Sequence, residues 1–409
     1  MREDWPRLPL DKAIGPKGKI IGGPFGSDLT QSDYVEAGVP VIRVANQVGP
    51  VVAGEFVFVS HEKAQKLKAN IAKPGDIVVV QRGSTYGKVS RIPNNSAYDK
   101  YVVCQSQMAV AVDESFSSPD FVFQALRSPI FDRFVESEVI QTGQPHINLG
   151  IFKRAKIPVP PLPEQHKIAE ILQTWDEALD KLASLRQLKS KRFIGLKQSL
   201  LGRGGIFPDK WPLKPLSAIA SRVRRQNGGG DHPVMTISAK SGFLMQSDKY
   251  ARDMAGSSVE RYTLLQEGEF AYNKGNSLVA PYGCFYRLDR PTALVPFVYF
   301  CFALKPGFDL GFYEHLFAVG ALNHQLSRLI NAGVRNDGLL NLAADDFFHC
   351  RVPVPPQDEQ RRIALVLSAV QEELSLLDQE IEALNRQKLG LIQKLLTGEW
   401  SVKIIEDIS

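Results

Sequence analysis

Two short segments carry side chains suited to gripping a polyanion and reading flat hydrogen-bonding edges. Arg82-Gly-Ser-Thr-Tyr-Gly-Lys88 follows the strand-like run Ile77-Val-Val-Val80, and Lys274-Gly-Asn-Ser277 follows Phe270-Ala-Tyr272 at the matching place in the second half. Each puts a cation, a flexible glycine and small hydroxyl or amide groups on one loop. Arg and Lys can reach guanine O6/N7 or a phosphate, and Asn, Gln and Ser can read base edges. Thr142-Gly-Gln-Pro-His-Ile-Asn148 and Ala332-Gly-Val-Arg-Asn-Asp337 form a second matched pair. The candidate DNA contacts of the first half are Arg43, Gln47, Arg82, Ser84, Thr85, Tyr86, Lys88, Gln144, His146 and Asn148. Those of the second half are Arg224, Lys240, Lys274, Asn276, Ser277, Arg335 and Asn336. Solvated turns often share this composition. What favours nucleic acid is the recurrence in both halves.

Catalytic chemistry is not expected. Gly15-Pro-Lys-Gly-Lys19 lacks the spacing and the Ser or Thr of a phosphate-binding P-loop. No Asn-Pro-Pro-Tyr or Asp-Pro-Pro-Tyr is present to hold a target amine, and the seven His form no HExxH and no Cys/His metal set. Gly22-Gly-Pro-Phe-Gly-Ser27 reads as a tight turn whose backbone N–H groups could meet a DNA phosphate. The four cysteines are far apart and read as reduced thiols. A formal charge of +5 is compatible with a polyanionic partner. The greasiest run, Ala293 to Leu304, is interrupted by Pro296 and is short for a bilayer span. The expectation is a cytoplasmic protein with no membrane partner, no bound metal and no cofactor of its own.

The elements that would position these loops occur twice. Lys156-Ile-Pro-Val-Pro-Pro-Leu-Pro-Glu-Gln-His-Lys-Ile168 returns as Arg351-Val-Pro-Val-Pro-Pro-Gln-Asp-Glu-Gln-Arg-Arg-Ile363, offset by 195 residues. Each proline connector opens a long helix with apolar residues at alternating 4-and-3 spacing. Ile168, Leu172, Trp175, Leu179 and Leu182 mark the first stripe, interrupted later by Arg186 and Lys189. Ile363, Leu367, Val370, Leu374, Leu377, Ile381 and Leu384 mark the second, interrupted by Lys388. Stripes this long predict helix pairing. Connectivity predicts that the helices run antiparallel, over about 33 residues or roughly 50 Å. Before each connector, short strands alternate with turns, and a helical stretch follows over 119–138 and again over 310–331. The fold class is therefore α/β (α+β): two similar mixed domains, at 1–155 and 204–350, with connector and helix at 156–203 and 351–409. The internal repeat implies a pseudo-two-fold axis.

With these elements the chain resembles a specificity (S) subunit of a type I restriction–modification system. The doubled Ile/Val-Pro-Val-Pro-Pro-x-x-Glu-Gln-x-x-Ile element carries the resemblance, together with Pro24-Phe-Gly-Ser-Asp28, Gly75-Asp-Ile77, Thr142–Asn148 and Glu267-Gly-Glu-Phe-Ala-Tyr-Asn273. The resemblance implies two target-recognition domains, each reading half of a split, asymmetric site on double-stranded DNA. It implies docking of two methyltransferase (M) subunits on the helices, to which restriction (R) subunits can add. S-adenosylmethionine, ATP and Mg would then be used by the partners, and this chain would not be an enzyme. Two other readings stay open at this point. One is a coiled-coil adaptor binding proteins; the other, disfavoured by the missing motifs, is a fused enzyme.

Overall fold

The computed structural model describes residues 4–141, 144–202, 207–249, 256–275, 280–330 and 340–404. The chain forms two compact units, Met1–Ala183 with Gln379–Ser409, and Ser184–Asp378. Both boundaries fall inside the long helices Leu162–Leu201 and Gln357–Leu396.

In the first unit the Val- and Ile-rich runs become strands, as β-branched residues favour. A six-stranded sheet has the order Lys19–Gly22, Gln107–Ala111, Ile77–Val80, Val89–Arg91, Val51–Val52, Gln47–Val48. A five-stranded sheet includes Val39–Ile42 and Tyr101–Val103 as parallel neighbours. The strand Ile77–Val80 is apolar throughout because both faces are covered. Ile77 and Val79 join a cluster with Phe121, Ile168 and Leu172, whereas Val78 joins Ile42 and Ala109. The single helical stretch expected over 119–138 is two helices, Pro119–Leu126 and Pro129–Glu138. The break follows from chemistry: Pro129 disfavours a helical Ser128, and the Ser128 hydroxyl caps the second helix by accepting from the Phe131 N–H.

The second unit has a four-stranded sheet ordered Ala220–Arg222, Phe300–Leu304, Phe270–Asn273, Cys284–Arg287. Aromatic rings fill its core; Phe270 and Phe302 stack with centroids 5.3 Å apart. The greasy run splits into the strands Thr292–Val295 and Phe300–Leu304 around Pro296. The stretch expected over 310–331 is likewise two helices, Leu310–Ala318 and Asn323–Leu329, parted at Gly320 with φ of 72°.

The repeated connector has the same job in both units. Arg7–Pro9 pairs antiparallel with Lys156–Pro158, and Leu213–Pro215 pairs likewise with Arg351–Pro353. The Gln of each Glu-Gln pair then acts as a buried clamp. Gln165 Nε2 donates to the Pro160 carbonyl (2.9 Å), and its Oε1 accepts the Ser118 N–H (2.8 Å). Gln360 does the same between the Pro355 carbonyl (2.8 Å) and the Asp309 N–H (2.9 Å). Ser118 and Asp309 are the N-caps of equivalent helices. One amide thus fixes the angle between connector, long helix and domain.

The long helices run antiparallel in each unit. In the first, Ile168 and Leu172 share a core with Ile392, Leu395 and Leu396. In the second, Arg186 makes a two-pronged pair with Asp378 (2.8 and 3.0 Å) while Lys189 meets Glu373 (2.6 Å), so the partner number falls as the first rises. Ile363, Leu367 and Leu377 are buried, whereas Trp175, Leu179, Leu182, Val370, Leu374, Ile381 and Leu384 are half-buried. The polar interruptions of the stripe are therefore interhelical ion pairs. The third, Lys388, bonds Asp176, which also accepts from Gln124 (2.8 Å) and Arg127 (3.1 Å). Each helix has 40 residues, about 60 Å of rise, longer than the stripe alone suggests.

Candidate nucleic-acid interface

In the first unit the hairpin between Ile77–Val80 and Val89–Arg91 presents the loop 81–88. Gly83 and Gly87 adopt φ of 106° and 81°, which lets the loop turn twice within seven residues. The backbone of 144–147 lies against it. The Gly83 N–H donates to the Pro145 carbonyl (3.2 Å) and the Ile147 N–H to the Gln81 carbonyl (3.0 Å). Arg82 and His146 are bridge partners. Arg82, Ser84, Thr85 and Gln144 are exposed; His146 is half-buried, with Nδ1 3.0 Å from the Gln144 carbonyl. Asn148 is exposed, yet its amide oxygen caps the helix Leu149–Arg154 by accepting the Ile151 N–H at 2.8 Å.

The loop has two different sides. On one side Arg82, Gln105 and Asn148 line a cleft of about 450 Å³ together with the Gly22–Gly26 loop. On the other, a depression of about 660 Å³ holds Ser84, Thr85, Tyr86 and Lys88, and also Asp132 and Glu136. Burial, with the neighbouring Glu136 charge, pushes the Asp132 carboxyl above its usual range. Carboxylates there repel a phosphate, so the smaller cleft is the one suited to a polyanion.

Three expected contacts of this unit take structural roles. Gln47 is only 2% exposed, and its amide donates to the Val78 carbonyl and to Ser90 (both 3.2 Å), because the 3₁₀ turn Val44–Asn46 aims it into the sheet. It is corrected from contact residue to sheet residue. Lys88 Nζ donates to the Gln47 carbonyl at 2.6 Å. Tyr86 packs on the core cluster. Arg43 is half-buried at the end of the strand Val39–Ile42, away from the cleft lining.

In the second unit the matching segment is shifted by one residue. The Leu340 N–H donates to the Lys274 carbonyl at 2.8 Å, the bond that Ile147 makes to Gln81 in the first unit. Lys274 is half-buried, its Nζ 5.2 Å from the centre of the Phe300 ring, and Arg222 approaches the same ring at 5.8 Å. Lys240 is exposed at the turn of the hairpin Met235–Ser238/Gly242–Met245, tied to this edge by Asn273 Nδ2 donating to the Ile237 carbonyl (3.1 Å). Arg224 is exposed, whereas its neighbour Arg225 is fixed on Glu269 by two bonds of 3.0 and 3.1 Å. Asn276, Ser277, Arg335 and Asn336 lie outside the described residues. Sequence reasoning named the loop around Phe25 for its backbone and not for its ring, and did not single out Gln105 or the Arg222–Phe300 contact. The signal for Phe25 was an aromatic flanked by Gly and Pro; for Gln105 there was none.

Among the described residues no group of three or more His, Cys, Asp or Glu could hold a metal, and no helix is long and apolar enough to cross a membrane. Residues 26–190 match the family model for the type I restriction modification DNA specificity domain. Residues 26–190 therefore carry a type I restriction–modification DNA specificity domain. It is similar to the type I restriction enzyme MjaVIII specificity subunit of Methanocaldococcus jannaschii, at 20% identity over 86% of this chain and 84% of that one. It also resembles the EcoKI specificity subunit of Escherichia coli K12, at 24% identity over 65% and 61% of the two chains. The crystal structure of a type I S subunit from M. genitalium shares the fold, with a TM-score of 0.56, 16% identity and 97% coverage of both chains. The matched residues include Gly26, Arg82, Gln105 and Asn148 of the cleft, together with Gln144 and His146, whereas Ile20–Phe25 of its lining precede them.

Proposed function

We propose that this chain is a type I specificity subunit that reads a bipartite, asymmetric site on double-stranded DNA, one half-site per unit, and brings two methyltransferase (M) subunits to it. The observation that carries this reading is the pairing of an identical clamp with different loops. Gln165 and Gln360 hold both domains on the helices by the same bonds, while the cationic edges they position differ in composition. The helix pair supplies the docking surface: Leu188, Leu365 and Leu376 are exposed apolar side chains on its second-unit part. R subunits can add to that complex. S-adenosylmethionine, ATP and Mg serve reactions in the partners, and this cytoplasmic chain is non-catalytic.

Mapping methylated adenines in cells carrying the chain and its M partner tests the reading. The expected result is a two-part motif with unread base pairs between its halves. Arg82→Ala should weaken or relax one half only, and Lys274→Ala the other, each by roughly 1–3 kcal/mol if a base edge is read. A single continuous motif, or methylation unaffected by the chain, overturns the proposal and favours the protein-binding adaptor.

A further inference from the structure

Phe25 is 87% exposed, the most exposed of the large apolar side chains among the described residues. A lone exposed apolar residue needs no explanation by itself. What sets this one apart is how firmly the backbone beneath it is held. The Gly23 N–H donates to the Gln107 carbonyl (3.2 Å), Asn70 Nδ2 donates to the Gly22 carbonyl (2.7 Å), and Gln105 Nε2 donates to the Gly26 carbonyl. The Asp28 N–H closes the turn on the Phe25 carbonyl (2.9 Å). A Cβ on Gly23 would collide with the Cys104 carbonyl, so only glycine lets the loop press this close to the sheet. Pro24 stiffens the approach. The loop therefore spends its bonds on presenting a ring that packs against almost nothing.

That ring stands at the rim of the cleft lined by Arg82, Gln105 and Asn148. A cation and amides beside a rigid, solvent-facing aromatic match what a nucleobase offers: a phosphate nearby, a hydrogen-bonding edge and an apolar face. We infer that Phe25 is a base-contacting wedge, laying its ring against a base step of the first half-site while Arg82 holds the adjoining backbone or base edge. The inference rests on the DNA-reading function proposed above. An apolar wedge contributes affinity without releasing counterions, so its signature differs from that of a phosphate contact.

The test uses the full chain with its M subunits and a duplex carrying the site returned by methylation mapping, with 2-aminopurine placed across the first half-site. A scrambled duplex of equal length serves as reference. Phe25→Ala should lower affinity for the mapped site by roughly ten- to a hundredfold with an unchanged salt slope, and should quench the fluorescence rise on binding. Phe25→Trp should restore both. Arg82→Ala, by contrast, should reduce the salt slope by about one if it meets phosphate. Affinity within twofold of wild type for Phe25→Ala, or a loss equal on the scrambled duplex, overturns the wedge. Loss of M assembly with unchanged DNA affinity also overturns it, assigning the ring to a protein contact. If the wild-type complex fails to prefer the mapped site, the DNA-reading function itself has failed.

Discussion

The tip loop after the first edge strand shows how two copies of one scaffold come to differ. In the first unit Met108 pairs with Gly22 and Val79; in the second Phe300 pairs with Tyr272, and the Val223 N–H continues the edge ladder to Cys301. Counting along these registers puts Arg224 where the first unit has Gly22, and Asn227 where it has Phe25. One tip is Gly-Gly-Pro-Phe-Gly and ends in an exposed ring; the other is Arg-Arg-Gln-Asn-Gly, with Arg225 anchored on Glu269. The turns beneath are conserved between the halves. Gly75 and Gly268 take φ of 90° and 85°, and Asp76 and Glu269 accept the N–H three residues earlier at 2.7 and 2.8 Å. The scaffold repeats while the tips diverge, as expected if each unit reads different bases.

The largest effect should come from the shared clamp. Gln165→Ala and Gln360→Ala each orphan a buried proline carbonyl and an N–H, buried at Ser118 and half-buried at Asp309. Each should cost about 2–4 kcal/mol of the affected unit, read by hydrogen exchange of that unit's core strands in urea. Comparable losses sustain the equivalence of the two units, and tolerance of either change breaks it.

The second effect should separate the units. Position 388 of the returning helix holds Lys, and the residue 195 earlier is Phe193, buried in the second unit beneath Lys197, whose Nζ is 4.2 Å from the ring centre. Burial raises the Asp176 carboxyl pKa, but bonds from Lys388 and Gln124 and the Arg127 charge outweigh it, so the group stays below the usual carboxylate range. Lys388→Met should cost about 1–3 kcal/mol by leaving that carboxylate underpaired. The loss should shrink in the Asp176→Leu/Lys388→Met double variant, as a double-mutant cycle in urea would report. The pair's contribution is present above the ordinary Asp range and fades as pH falls through the lowered value.

The smallest effect is a pH response of opposite sign in the two units. Burial, helped by the Lys197 and Arg287 charges and opposed by Asp309, lowers His315 to about 4; its Nε2 lies 3.1 Å from the Ser368 hydroxyl. The unfolded histidine takes up its proton near pH 6.5 and the folded one near 4. The second unit should therefore lose stability as pH falls through that window, by about 1–2 kcal/mol. Burial raises Asp76 to about 6 against backbone and charge effects of Lys73 and the Arg91 charge. The first unit should accordingly weaken as pH rises from about 4 to 6. Exchange rates at pH 4.5 and 6.5 compare the two, and His315→Gln should abolish the response of the second unit alone.

The elements with the longest patterns were the most legible. The repeat from Lys156 and Arg351 carries its own registration, and strands such as Ile77–Val80 stand out because burial on both faces demands an unbroken apolar run. The helix breaks at Ser128 and Gly320 were hidden because the apolar spacing continues across them. Gln47 looked like a reader since an amide's destination depends on a turn that composition does not encode. Trp5-Pro6 and Trp211-Pro212 also escaped notice. Their equivalence rests on bonds across the fold, from the Val159 N–H to the Pro6 carbonyl and from the Val354 N–H to the Pro212 carbonyl, both 2.9 Å.

The division of the chain also sets an order of manufacture. The first unit is made of Met1–Ala183 and Gln379–Ser409, with Ile392, Leu395 and Leu396 inside its core. A ribosome delivers its opening strands first, yet the pieces that seal that core emerge after the whole of Ser184–Asp378 has been translated. The second unit, begun later, has all its parts in hand sooner. The earlier-born unit must wait with an apolar wound open, a window in which a chaperone or an assembling partner would find it.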